Sequence, residues 1–188
     1  MANLRKIPTS KLKTFGDLIN KLLDMNLHNY EYGDLYYIFD KYEEPSTKDT
    51  ERVRRAGDLN AAIEYSSISL STKLPNDMDR FWPSVKNKIL LEDLVYESTV
   101  TRAKAIQTVN SNKIILDETV NKPTVFLINK SVVTPSHWRT SPFEEADLRL
   151  PYVVWKALRD GTKIFLILSN DTDIHVAFLN HMTLLLKF

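Results

Sequence analysis

Two apolar runs constrain this fold more than any other feature: Leu35-Tyr36-Tyr37-Ile38-Phe39 and Ile164-Phe165-Leu166-Ile167-Leu168. Each has the length of a strand and no polar residue, the pattern of a strand covered on both faces. An acid closes each run. Asp40 follows the first directly, and Asp171 and Asp173 follow the second within a few residues.

Helical patterns separate the runs. Phe15, Leu18, Ile19, Leu22 and Leu23 recur at helical spacing behind Thr14, a capping residue with Asp17 three positions on. Residues 78–99 read as a second helix, with Pro83 in its first turn or interrupting it. Residues 104–109, 113–116 and 124–129 read as short strands, a meander or hairpin. Ser141-Pro142-Phe143-Glu144 combines a capping serine, proline at the first helical position and glutamate at the third. The helix it opens carries Pro151, a predicted kink, and ends at Gly161, and a last helix starts near residue 172. Strands alternating with helices predict an α/β fold: a mostly parallel central sheet flanked by helices, with a small β-hairpin before the acidic helix. The expected organisation is a basic tail over 1–13 and one incomplete domain over 14–188. The closing run, Met182-Thr183-Leu184-Leu185-Leu186-Lys187-Phe188, is still apolar, which suggests a truncated product.

Composition narrows the chemistry. The chain has no cysteine, which excludes thiolate metal sites, iron–sulfur clusters and a thiol nucleophile. Its four glycines form no phosphate-cradling loop, and the net charge of +1 names no partner. No stretch has the roughly 18 apolar residues of a membrane span, so the expectation is an intracellular protein of nucleus or cytoplasm with no membrane partner. The histidines, His28, His137, His175 and His181, lack metal-ligand spacing. Trp82, Trp138 and Trp155 suit core or rim packing better than base stacking.

Charge placement is more informative. Asp40, the group Glu144, Glu145 and Asp147, and the pair Asp171 and Asp173 stand at two strand ends and one helix start. In open α/β sheets ligands collect beyond the carboxyl ends of strands. Acids gathered there suit magnesium or manganese, which take hard oxygen ligands. The plainer account is capping: an acid after a strand often caps the next helix and suits its dipole. Lys48, Arg52, Arg54 and Arg55 form a basic stretch after Asp40. On a helix, Lys48, Arg52 and Arg55 share one face, which suits phosphates or pairs with Asp49 and Glu51.

The segment from Tyr36 to Arg55 resembles the part of flap-endonuclease-like proteins where a strand ends in a metal-binding aspartate and a Lys/Arg helix follows. Glu144-Glu145-Ala146-Asp147 resembles the same group's paired-acid helix start, and Asp171-Thr172-Asp173 its strand-end acid pair, in the family's order. Over roughly residues 14–182 the chain looks most like animal proteins with a PIN-like, 5′-nuclease-like domain often found beside transposable elements. The resemblance implies a two-metal nuclease of nucleic-acid phosphodiesters using Mg2+ or Mn2+. Asp40, Glu145 (with Glu144 as substitute), Asp147, Asp171 and Asp173 would be the metal acids. Lys48 and Arg55 (or Arg54) would be the cations that grip and polarise the scissile phosphate, with Arg52 beside them in nucleic-acid binding. The family also has a first strand with another metal-site aspartate, and nothing before Thr14 reads as that strand. An acid expected beyond the last helix is absent too. Two further expectations therefore stand beside the nuclease: a relic that binds nucleic acid or a protein without cutting, and an α/β protein with no nucleic-acid role.

Overall fold

The computed structural model describes residues 2–27, 33–40, 62–105, 112–122, 124, 126–129, 132–135, 146–167 and 172–185. The α-helices are α1 (Ala2–Arg5), α2 (Phe15–Leu27), α3 (Val85–Ala105), α4 (Ala146–Arg159) and α5 (Thr172–Leu185). The strands are β1 (Leu35–Tyr37), β2 (Ile114–Leu116), β3 (Phe126–Asn129) and β4 (Val132–Pro135), and a 3-10 turn covers Met78–Arg80.

The sheet has the order β1-β2-β3-β4. β1 and β2 are parallel, with Tyr37 opposite Leu116, whereas β2–β3 and β3–β4 are antiparallel. The α/β class holds, but the sheet is mixed rather than mostly parallel. The reason lies in the apolar run of residues 164–168, expected as a second buried parallel strand. Its described part, through Ile167, is not a strand, and Ile164 is 89% exposed and Leu166 75%. An apolar run becomes a strand only where it pairs with a strand edge, and residues 164–167 pair with neither edge strand of the sheet, β1 or β4.

Thr14 and Asp17 form the expected cap of α2. The Asp17 N–H donates to Thr14 Oγ1 at 3.1 Å, and the Thr14 N–H donates to Asp17 Oδ2 at 3.0 Å. A second bond to Asp17, from the Lys13 N–H at 2.9 Å, helps hold its carboxyl below the usual carboxylate range. Phe15, Leu18, Ile19 and Leu23 turn inward together. Pro83 lies between the 3-10 turn and α3, not inside a helix. Ser84 caps α3, its Oγ accepting the Asn87 N–H at 3.2 Å. Asn87, wholly buried, accepts from the Tyr65 N–H and donates to the Ile63 and Phe81 carbonyls, so it ties residues 63–65 to the helix. The helix then runs to Ala105, through Lys104 and Ala105 where a strand was expected.

The main core joins α2, α3 and the sheet, with Phe15, Phe81, Leu91, Ile114 and Leu116 at its centre. Leu4 and Ile7 reach into it from the first residues. Helices α4 and α5 pack on each other, burying Val154, Ala157, Ile174 and Ala177 outside that cluster. α4 continues through Pro151 to Arg159. Gly161 follows with a φ of 94°, a left-handed turn that L side chains rarely adopt, and it ends the helix.

Candidate functional site at the carboxyl ends of the parallel strands

Because β1 and β2 are parallel, the acids that follow them emerge at one rim of the sheet. Asp40 lies three residues past Tyr37, and Asp117 and Glu118 come directly after Leu116. The ladder runs one step further, with the Asp117 N–H donating to the Tyr37 carbonyl at 3.0 Å.

Helix α4 starts against this rim. The Ala146 N–H donates to Asp40 Oδ1 at 3.0 Å, so the strand-end carboxylate satisfies one of the unpaired amides of a helix amino end. Arg149, less than a turn along, enters the rim with no solvent exposure. Its Nη1 donates to the Phe39 carbonyl at 2.8 Å. Its Nη2 lies 2.7 Å from Asp117 Oδ2 and 3.3 Å from Glu118 Oε1. Both acids are buried, and Asp117 Oδ1 also accepts the Glu118 N–H at 2.9 Å. A guanidinium presents several donors in a fixed planar fork, which lets one side chain serve a carbonyl and two carboxylates together.

Helix α3 closes the rim from another side, its Tyr96 ring 6.2 Å from that of Phe39. Glu92, one turn earlier, is 1% exposed, and among the described residues its Oε1 has no hydrogen-bond partner. Burial pushes its carboxyl up to about 9. The charges of Asp40 and Asp93 add to that rise, and the charge of Lys88 opposes it. Asp93 accepts from Thr119 Oγ1 at 3.3 Å and from Asn121 Nδ2 at 2.6 Å, fastening the segment after β2 to α3.

The sequence-predicted residues divide as follows. Asp40 stands at the rim and contacts the start of α4. The backbone of Asp147 lies in the first turn of α4, while its side chain lies outside the described residues. Glu144, Glu145, Asp171, Lys48, Arg52, Arg54 and Arg55 all lie outside them too. Asp173 is exposed in the first turn of α5, where its charge suits the helix dipole. The arrangement thus brings Asp40 to the acidic helix start. Among the described residues no group of three acids or histidines is arranged to hold a metal ion. Asp117 and Glu118 share Arg149, so the described donors alone do not fit the two-metal set.

Sequence reasoning missed Asp117, Glu118, Arg149 and Glu92. The first two carried a usable signal, since they follow an apolar run just as Asp40 does. Arg149 carried none: a buried arginine and a surface one look alike in sequence. Glu92 sits four residues after Lys88, a spacing read ordinarily as an exposed pair.

Comparison with known proteins returns no match: no family model, no curated protein and no solved structure matches the chain. Among the described residues no helix is long and apolar enough to cross a membrane.

Proposed function

We propose that the chain is a PIN-like, nuclease-type domain acting on nucleic-acid phosphodiesters, with its working rim where β1, β2 and α4 meet. The observation that carries the reading is the hydrogen bond from the Ala146 N–H to Asp40. It sets a strand-end carboxylate beside the helix start that follows Glu144 and Glu145 directly in the chain and includes Asp147. These acids and the pair Asp171 and Asp173 would hold Mg2+ or Mn2+. Such ions supply charge neutralisation at phosphate and an activated water. Within the chain, the α4 amino end orients Asp40, and Lys48 and Arg55 would bind phosphate oxygens. Arg149 holds the buried acids that follow β2, Asp117 and Glu118.

A second reading draws on the same rim. Asp117 and Glu118 are committed to Arg149, and the first α4 amide occupies one oxygen of Asp40. A domain wired in this way suits binding without cutting. The test is incubation with labelled single-stranded, duplex and 5′-flap DNA and RNA in Mn2+ or Mg2+. The nuclease reading expects cleavage that Asp40→Asn and the double variant D171A/D173A abolish. A double variant that cuts as fast as the parent sinks it. Salt-dependent binding with no cleavage by the parent selects the second reading.

A further inference from the structure

We infer that the outer face of α4 is a binding surface for single-stranded nucleic acid, with Tyr152 and Trp155 stacking bases and Lys156 and Arg159 holding phosphates. The nucleic-acid part of this inference rests on the reading above, and the surface itself on a different set of observations.

Among the described side chains of α4, Arg149, Pro151, Val154 and Ala157 are buried. At about 100° per residue their directions centre on one side of the helix. Tyr152, Trp155, Lys156 and Arg159 fall on the opposite side, at spacings that make a continuous stripe. The first three are half-buried and Arg159 is exposed. An amphipathic helix ordinarily gives that side to polar residues alone. Here two aromatic rings lie 6.0 Å apart at an interplanar angle of 31°. Each carries a cation: Lys156 Nζ is 5.1 Å from the Tyr152 ring centroid, and the Arg159 guanidinium carbon is 5.1 Å from that of Trp155.

Rings interleaved with cations match the chemistry of a single strand, which offers base faces and phosphates in alternation. Tyr152 to Arg159 spans about 10 Å of helix, room for roughly three stacked nucleotides at about 3.4 Å each. The stripe begins about 9 Å along α4 from Ala146, so a strand lying on it is directed to the rim at Asp40. A duplex hides its base faces, and an acidic peptide offers charge without rings to stack.

The test is binding of a fluorescent 15-nucleotide oligothymidylate to the whole chain in EDTA, followed by anisotropy over a salt series. The double variant Y152L/W155L keeps apolar bulk but loses the ring faces, and the expected weakening is about 10-fold or more. In K156Q/R159Q the slope of log affinity against log salt falls by about 1.4. Photocrosslinking of a 5-iodouracil oligonucleotide to the unaltered protein gives a readout independent of variant folding, with adducts expected on Tyr152 or Trp155. Adducts elsewhere, unchanged affinity in both double variants, or a parent that binds no oligonucleotide overturns the inference. Equal competition by polyglutamate of the same charge also overturns it, in favour of an acidic peptide. Binding through the stripe without cleavage in Mn2+ sinks the nuclease reading alone, and cleavage with adducts elsewhere sinks the stripe alone.

Discussion

Arg149 and Glu92 are buried ionisable groups of different kinds. Arg149 has three oxygen partners from the segments just past two strands, so its removal takes from buried Asp117 and Glu118 the guanidinium they share. Arg149→Ala is expected to lose about 3–5 kcal/mol of stability, read by urea denaturation. Arg149→Lys recovers little of this, because an ammonium lacks the planar fork. A loss under about 1 kcal/mol would show that the pairing does not hold the rim. Glu92 holds its proton at neutral pH because its folded value, about 9, lies well above the ordinary 4.5. A raised value means the native state binds the proton more tightly. Its contribution is therefore complete below about 4.5, declines as pH rises and is gone above about 9. Glu92→Gln removes this titration. Relative to the parent, E92Q should gain stability between pH 5 and pH 8, measured by denaturation at both. A difference that stays constant across that range would contradict the burial of an ionisable carboxyl.

At the scale of elements, local chemistry decided the helix starts. The Thr14–Asp17 exchange is a capping arrangement visible in the sequence, and Thr14→Ala should cost about 1 kcal/mol by thermal or chemical denaturation. Gly16 behind it has a reason that no local pattern carries. A Cβ there would sit 2.6 Å from the Leu70 carbonyl oxygen, which is backbone and cannot swing aside. Gly16→Ala, favourable for helix propensity, is therefore expected to destabilise by about 1–3 kcal/mol. A stabilised G16A would mean that the loop carrying Leu70 does not press on α2. Helix α3 was harder to delimit, since its buried residues include Asn87, Lys88, Glu92 and Thr99, which blur an apolar stripe. Its middle was legible, while its two ends and its face were not.

The whole molecule pairs a well-filled core around α2, α3 and the sheet with the α4–α5 pair beside it. The joins between α4 and the sheet rim are polar, through Asp40 and Arg149. Beyond α4, Ile164 and Leu166 lie exposed. The double variant I164A/L166A is expected to unfold within about 0.5 kcal/mol of the parent. A loss of several kcal/mol in urea, the usual result for truncated core residues, would place this segment in a sheet instead.

The sequence alone determined the α/β class, the caps and start of α2, the strands at 35–37 and 114–116, the first strand of the hairpin and the start of α5. Each follows from propensity, periodicity or a hydrogen bond between residues a few positions apart. The tertiary structure decided which strands pair, and so made the sheet mixed and left Ile164 and Leu166 outside it. It also made Arg149 a counter-charge of Asp117 and Glu118, and left Glu92 Oε1 buried without a hydrogen-bond partner among the described residues. Strand pairing depends on which edges are offered, and the state of a buried charge depends on partners distant in the chain. Neither quantity is written in a residue's own neighbourhood.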